Sequence, residues 1–141
     1  MRFWDSSAIV PLLVLEKETE QCVRALQSDR EVMVWTMSKV EAFSALCRRL
    51  REGSMKEHVF DSAKKRMNSF FDMTFEVISV PKVKDRALRL LQAHPLRAAD
   101  AMQLASILVA TQEDPSKVPI MTFDDRLIQA AKREGFTVNP D

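Results

Sequence analysis

Glycine is scarce in this chain, two residues in 141, and proline contributes only six, so a linker, a low-complexity tract or a disordered tail is excluded by composition. The glycine-rich loops that cradle nucleotide phosphates, G-x-x-x-x-G-K-[ST] and G-x-G-x-x-G, do not occur, so no nucleotide cofactor is indicated. An excess of one charge is missing too. With 21 Lys and Arg against 20 Asp and Glu, bulk charge attracts no polyanion and any such site must be local. No apolar run reaches the length of a membrane span, and no basic segment followed by a long apolar stretch opens the chain, which predicts a cytoplasmic protein with no membrane partner. The only two cysteines, Cys22 and Cys47, fall in helical stretches beside Val23, Leu26, Phe43 and Leu50, and read as reduced core packing. His58 and His94 have no second ligand at metal-site spacing and are expected at the surface.

What is present is a core-forming alternation of strand and helix. Apolar residues make up 46% of the chain, enough for one domain spanning residues 1–141. A short strand at 2–5 leads into a helical stretch at 6–17, broken or opened by Pro11, and a second helix at about 17–28. The run VMVW at 32–35 is a buried strand by length and β-branching. A helix at 39–52 carries the stripe Val40, Phe43, Cys47 and Leu50, and Gly53 stops it. A further helix covers about 55–73, with Val59, Ala63, Met67, Phe70 and Phe71 on one side. FEVISV at 75–80 reads as a strand, with a helix over 82–94 begun by Pro81, then a very apolar helix at 98–112. PIMTF at 119–123 is a fourth strand, an amphipathic helix follows at 125–134, and FTV at 136–138 is a short last strand. The expected fold is α/β: a central parallel sheet of four to five short strands with helices on both faces.

Four acids sit where this pattern passes from strand to helix. Asp5 follows Phe3 and Trp4, Glu41 follows VMVW, Asp100 opens the apolar helix, and Asp124 follows PIMTF. In a parallel α/β fold the carboxyl ends of the strands share one edge with the helix starts, where sites collect. Each acid also has an ordinary explanation as a helix cap or first-turn acid, and SKVE at 38–41 fits a capping box with Ser38 as the cap. Asp5 and Asp100, however, lie among apolar neighbours, where an ionised carboxylate is costly unless paired or bound to metal. Clustered carboxylates without His or Cys suit Mg²⁺ or Mn²⁺. Ser6 and Ser7 have no nearby His to act as a base and read as hydroxyls that orient Asp5 or a metal-bound water. The cations Arg48, Arg49, Arg51 and Lys56, with Lys64, Lys65 and Arg66, read equally as a phosphate-binding flank or as a solvated helix face.

Four segments, DSSAIVPLL at 5–13, SKVEAFSAL at 38–46, LRAADAMQLASIL at 96–108 and TFDDRLIQAAKREGF at 122–136, resemble in this order the PIN-domain ribonucleases, especially the VapC-like toxins of bacterial toxin–antitoxin pairs. The resemblance spans nearly the whole chain. Each segment alone is short, whereas four in order are specific. It implies a single PIN-like domain and an acidic quartet at Asp5, Glu41, Asp100 and Asp124, with Asp5 and Asp100 holding Mg²⁺ or Mn²⁺ and Glu41 and Asp124 completing the site directly or through water. The pattern T-x-D-x-R-L, met by Thr122, Asp124, Arg126 and Leu127, selects Asp124 over Asp125. Ser7 and Arg97 fall on small-polar and arginine positions of the family, and Gln103 departs from the His many relatives carry. The implied function is a metal-dependent endoribonuclease, with an RNA substrate, a cognate antitoxin protein and a homodimer as partners; the apolar side chains at 59–73 are a candidate surface for self-association. Two alternatives stand beside it: a catalytically idle PIN-like binding module, which a missing acid would favour, and a receiver-like phosphoacceptor domain. The second is disfavoured because Asp5 has no acidic neighbour and no Lys follows PIMTF before Lys132.

Overall fold

The computed structural model describes residues 1–139. Its elements run β1 (Arg2–Trp4), α1 (Ser6–Leu13), α2 (Thr19–Ser28), β2 (Val32–Trp35), α3 (Ser38–Arg51), α4 (Glu57–Phe71), β3 (Phe75–Val77), α5 (Val80–Ala93), α6 (Ala98–Ala110), β4 (Ile120–Met121) and α7 (Asp125–Arg133). The four strands form one parallel sheet in the order β3-β2-β1-β4, with Phe3 opposite both Met33 and Ile120. Successive side chains of a strand point to opposite faces, and the core divides accordingly. Trp4, Val32, Val34 and Met121 pack beneath α1–α4, while Phe3, Trp35 and Ile120 pack beneath α5–α7. The chain moves outward from β1 through β2 to β3, then crosses back so that β4 pairs with the other side of β1. The crevice at this reversal lies between the carboxyl ends of β1 and β4, directly before Asp5 and Asp124.

Several boundaries differ from those the sequence predicts. The first helix ends at Leu13, and Pro11 lies inside it, where it cannot donate to the preceding turn. Carbonyls left over at this end are taken by other elements: Arg66 donates to Leu13 O from Nε (2.9 Å) and Nη2 (2.6 Å), and Thr19 Oγ1 donates to Pro11 O (2.7 Å). The strand predicted at 75–80 stops at Val77, because Ile78 is 71% exposed and the chain already turns into α5 at Val80, with Pro81 in its first turn. PIMTF pairs only through Ile120 and Met121, and FTV contributes a single bridge, Val138 to Ile120, before Asn139 turns away with φ +49°. On α3 the buried line is Ser38, Ala42 and Leu46, whereas Val40 is 63% exposed. Small residues at i, i+4 let this helix lie close to its neighbours, so hydrophobicity alone misplaces the face by part of a turn.

Met67, Phe70 and Phe71 are buried in the core beside Trp4, so most of the apolar stripe at 59–73 completes the chain's own packing. His94, expected at the surface, is enclosed: its side chain is 7% exposed and pairs with Glu134 at 2.6 Å, beside an Arg86–Glu134 contact at 3.2 Å. Burial pushes the Cys22 thiol up to about 12, in keeping with an inert core cysteine, and Cys47 is half-buried. Among the described residues no helix is long and apolar enough to cross a membrane.

Candidate active site

All four acids line one cleft of about 630 Å³ at the carboxyl edge of the sheet, together with Ser6, Ser7, Arg48, Arg49, Glu16 and Glu18. Asp5 is the most buried of the four and is the N-cap of α1. Three donors converge on its Oδ2: the Ser7 backbone N–H (3.1 Å), the Ser7 hydroxyl, and the Thr122 hydroxyl (3.0 Å). Both hydroxyls are themselves held, because the Phe123 N–H donates to Ser7 Oγ (2.8 Å) and the Asp124 N–H donates to Thr122 Oγ1 (3.2 Å). Thr122 is locked in turn by Asn139, which accepts from its N–H (2.9 Å) and donates to its carbonyl (2.7 Å). This network ties the end of β4 to the first turn of α1. Asp5 Oδ1 accepts a long hydrogen bond from the Ser6 hydroxyl (3.5 Å).

The other three acids follow the same rule. Asp124 caps α7 through Oδ1, which accepts from the Leu127 N–H at 2.9 Å. Asp100 accepts from the Arg97 N–H at 3.1 Å through Oδ2. Glu41 accepts from the Gln103 amide at 2.8 Å through Oε2. In each carboxylate one oxygen is fixed by a strong donor bond, and among the described residues the second oxygen has none as short. The capping box at 38–41 does not form: Met37 is the cap, without a side-chain hydrogen bond, and Ser38 Oγ accepts from Gln103 at 3.1 Å. Glu41 therefore faces the cleft.

Burial is the main force on Asp5, Glu41 and Asp100. It raises Asp5, whose hydroxyl and backbone donors pull the other way. Burial also raises Glu41 and Asp100; Gln103 and Ser6 oppose the shift at Glu41, and the Arg97 N–H opposes it at Asp100. Mutual repulsion adds to it, from Asp5 and Asp100 on Glu41 and from Asp124 and Asp5 on Asp100. Among the described residues no three carboxylate, His or Cys side chains already stand close enough to grip one ion. The donor set still fits a hard divalent cation: it is all oxygen, it self-repels when ionised, and each member keeps an oxygen to offer.

Of the supporting residues predicted from sequence, Ser7 and Thr122 hold Asp5, and Arg97 serves Asp100 through its backbone. The Arg126 guanidinium also favours ionised Asp100. Arg48 and Arg49 line the cleft, Arg49 paired with Glu16; Arg51 is exposed outside it, and Lys56 lines an adjoining cavity. Gln103, which reads as a departure in sequence, is buried and positions Glu41; its place one turn after Asp100 was the available signal. Glu16 and Glu18 gave no signal, since they lie in a charged helix-to-helix turn.

No protein-family model matches the chain. Over 138 residues it is 29% identical to Ribonuclease VapC45 of Mycobacterium tuberculosis (strain CDC 1551 / Oshkosh), covering 98% of this chain and 94% of that protein. Ribonuclease VapC49 of Mycobacterium tuberculosis (strain ATCC 25618 / H37Rv) matches to the same extent. Among solved structures, VapC20 of Mycobacterium tuberculosis, described as a sarcin–ricin loop cleaving toxin, superposes with a TM-score of 0.65 at 18% identity over 97% of both chains. FitAcB from Neisseria gonorrhoeae superposes with a TM-score of 0.65 at 16% identity, over 98% of this chain and 96% of that one.

Proposed function

We propose that this chain, a PIN-domain protein of the VapC-like kind, is a divalent-metal-dependent endoribonuclease that acts as the toxin of a toxin–antitoxin pair. The observation that carries the reading is the cleft in which four acids from separate segments meet, each with one oxygen fixed and one to spare. Asp5 and Asp100 would hold Mg²⁺ or Mn²⁺, with Glu41 and Asp124 completing the site directly or through water. When bound, the cation supplies Lewis acidity to an attacking water and positive charge to the phosphate. The chain's own residues do the positioning. Ser7 and Thr122 fix the plane of the Asp5 carboxylate, Gln103 aims Glu41, and the first turns of α6 and α7 orient Asp100 and Asp124. Arg48 and Arg49, on the α3 side of the cleft, offset the repulsion that carboxylates exert on an incoming phosphate.

Incubation of purified protein with mixed RNA and Mg²⁺ or Mn²⁺ tests this reading. Cleavage is expected to stop with chelator and in Asp100→Asn; cleavage that survives both overturns it. An antitoxin protein and a homodimer are the proposed partners. The likeness to a solved structure of FitAB bound to a DNA fragment and to the VapC ribonucleases supports the antitoxin. Co-purification with the product of the adjacent gene, and light scattering of the isolated chain, test the two.

A further inference from the structure

The cleft is hostile to most of an RNA strand. Its lining carries six carboxylates, Asp5, Glu16, Glu18, Glu41, Asp100 and Asp124, against the guanidiniums of Arg48 and Arg49. One scissile phosphate is offset by a cation among the quartet, but flanking phosphates have no such relief and must leave towards positive charge. Arg49 marks the exit. It lines the cleft on one side and, on the other, a second cavity of about 470 Å³ whose polar side chains are Arg49, Ser54 and Lys56, with no carboxylate. The remaining lining there is apolar, including Met55, Val59 and Leu15, which is 91% exposed.

Arg49 lines both spaces and is ion-paired with Glu16, which lines the cleft. Arg49 Nη2 donates to Glu16 Oε1, both side chains are about three-quarters covered, and the Glu16 backbone is pinned by its N–H donating to Thr19 Oγ1 at 2.8 Å. Among the described residues only Glu16 accepts from the guanidinium, and a phosphate can take its other donors.

We propose that the second cavity is a subsite for a nucleotide flanking the scissile bond, with Arg49 on the phosphate at the boundary, Lys56 on the next phosphate outward, and the base against the Leu15, Met55 and Val59 side chains. The proposal rests on the reading of the cleft as an RNA-cleaving site. A cavity with cations and apolar surface but no acid matches the two halves of a nucleotide, and it continues the cleft.

Binding of fluorescein-labelled oligouridylates, from dinucleotide to dodecanucleotide, is measured by anisotropy in chelator, so that no cleavage intervenes. Lys56→Glu should weaken the longest oligomer by about tenfold and lower its salt slope by about 0.7, the share of one phosphate on a single strand. Lys56→Ala should show the same trend more weakly, both with the parent's melting profile. The penalty should grow with length, and that of Arg49→Gln should set in at shorter oligomers than that of Lys56→Glu. Equal penalties at every length, or none, overturn the subsite. Unchanged oligouridylate binding with lost binding of an oligoglutamate peptide makes the cavity a dock for acidic peptide and also overturns it. Cleavage of mixed RNA by the parent with Mg²⁺ is run in parallel, so failure of the nuclease reading registers there and failure of the subsite registers in the binding series.

Discussion

Glu41→Gln separates positioning, stability and chemistry at one atom. Glu41 Oε2 accepts a 2.8 Å bond from Gln103 Nε2, and a glutamine there still offers a carbonyl oxygen to the same donor. The bond loses its charge assistance, which costs about 1 kcal/mol. Against this, the change removes a half-buried charge that burial and the neighbouring Asp5 and Asp100 already disfavour. The two effects oppose each other, so the metal-free melting temperature is expected to stay within roughly 4 °C of the parent, as a net change of about 1 kcal/mol allows for a domain of this size. Cleavage has no such compensation. The charge that draws a cation is gone, and the rate with Mg²⁺ should fall at least about a hundredfold, or ~2.7 kcal/mol of barrier. The assays are thermal melts in chelator and initial cleavage rates with saturating Mg²⁺ on both proteins. Parent-like cleavage by Glu41→Gln would refute the role of Glu41 and shrink the quartet to three aspartates.

Gln103→Leu should keep the fold but lower cleavage by about tenfold or more, because Glu41 loses its donor, while Gln103→His, which retains an N–H, should remain within a few-fold of the parent in the same rate assay. Asp5→Asn should abolish growth arrest on expression without loss of protein, since an amide oxygen can still accept all three donors on Oδ2; equal toxicity at matched levels would separate arrest from this site. The folded-state pKa values of Asp5, Glu41 and Asp100 are raised, so the stability they contribute is full below the unfolded carboxylate range and is lost as pH rises through the folded values. In chelator, the melting advantage of Asp100→Asn over the parent should therefore shrink as pH is lowered from neutrality, and an advantage that grows would contradict the assignment. Arg66→Ala should destabilise by about 1–2 kcal/mol in urea melts, because it strips both donors from the Leu13 carbonyl at the end of α1.

The helix-rich half of the fold was legible because its signals are long. Helices such as α4 and α6 repeat their apolar pattern over several turns, and Gly53 and Gly135 both adopt positive φ just beyond helix ends. The strands were less legible. With two to four residues each, they carry too few alternations to distinguish paired from merely extended chain, so FEVISV and PIMTF were read too long and FTV was read as a strand. The stripe on α3 was misplaced for a different reason: its buried line is Ser38, Ala42 and Leu46, and the first two are small residues with a weaker apolar signal than Val40 or Phe43. His94 was misread because its enclosure depends on Glu134, forty residues later, which no local pattern reports.

The acids themselves were legible as a set but ambiguous one by one, since a helix cap and a metal ligand ask for the same residue in the same place. In the proposed site the two roles need not compete. A cap needs one carboxylate oxygen to accept a backbone N–H, and Asp5, Asp100 and Asp124 each give one. A cation needs one oxygen from each of several acids, and the second oxygen is left for it. The N–H bonds that cap the helices also fix the carboxylate planes, so the capping energy of α1, α6 and α7 pre-organises the cleft before any ion arrives. Glu41 is the exception that tests the rule: α3 has no side-chain cap, and Glu41 is oriented by a side-chain donor, Gln103. Replacing Gln103 should therefore impair Glu41 far more than any surface change on α3, because the 2.8 Å bond it donates is not backed by a backbone N–H.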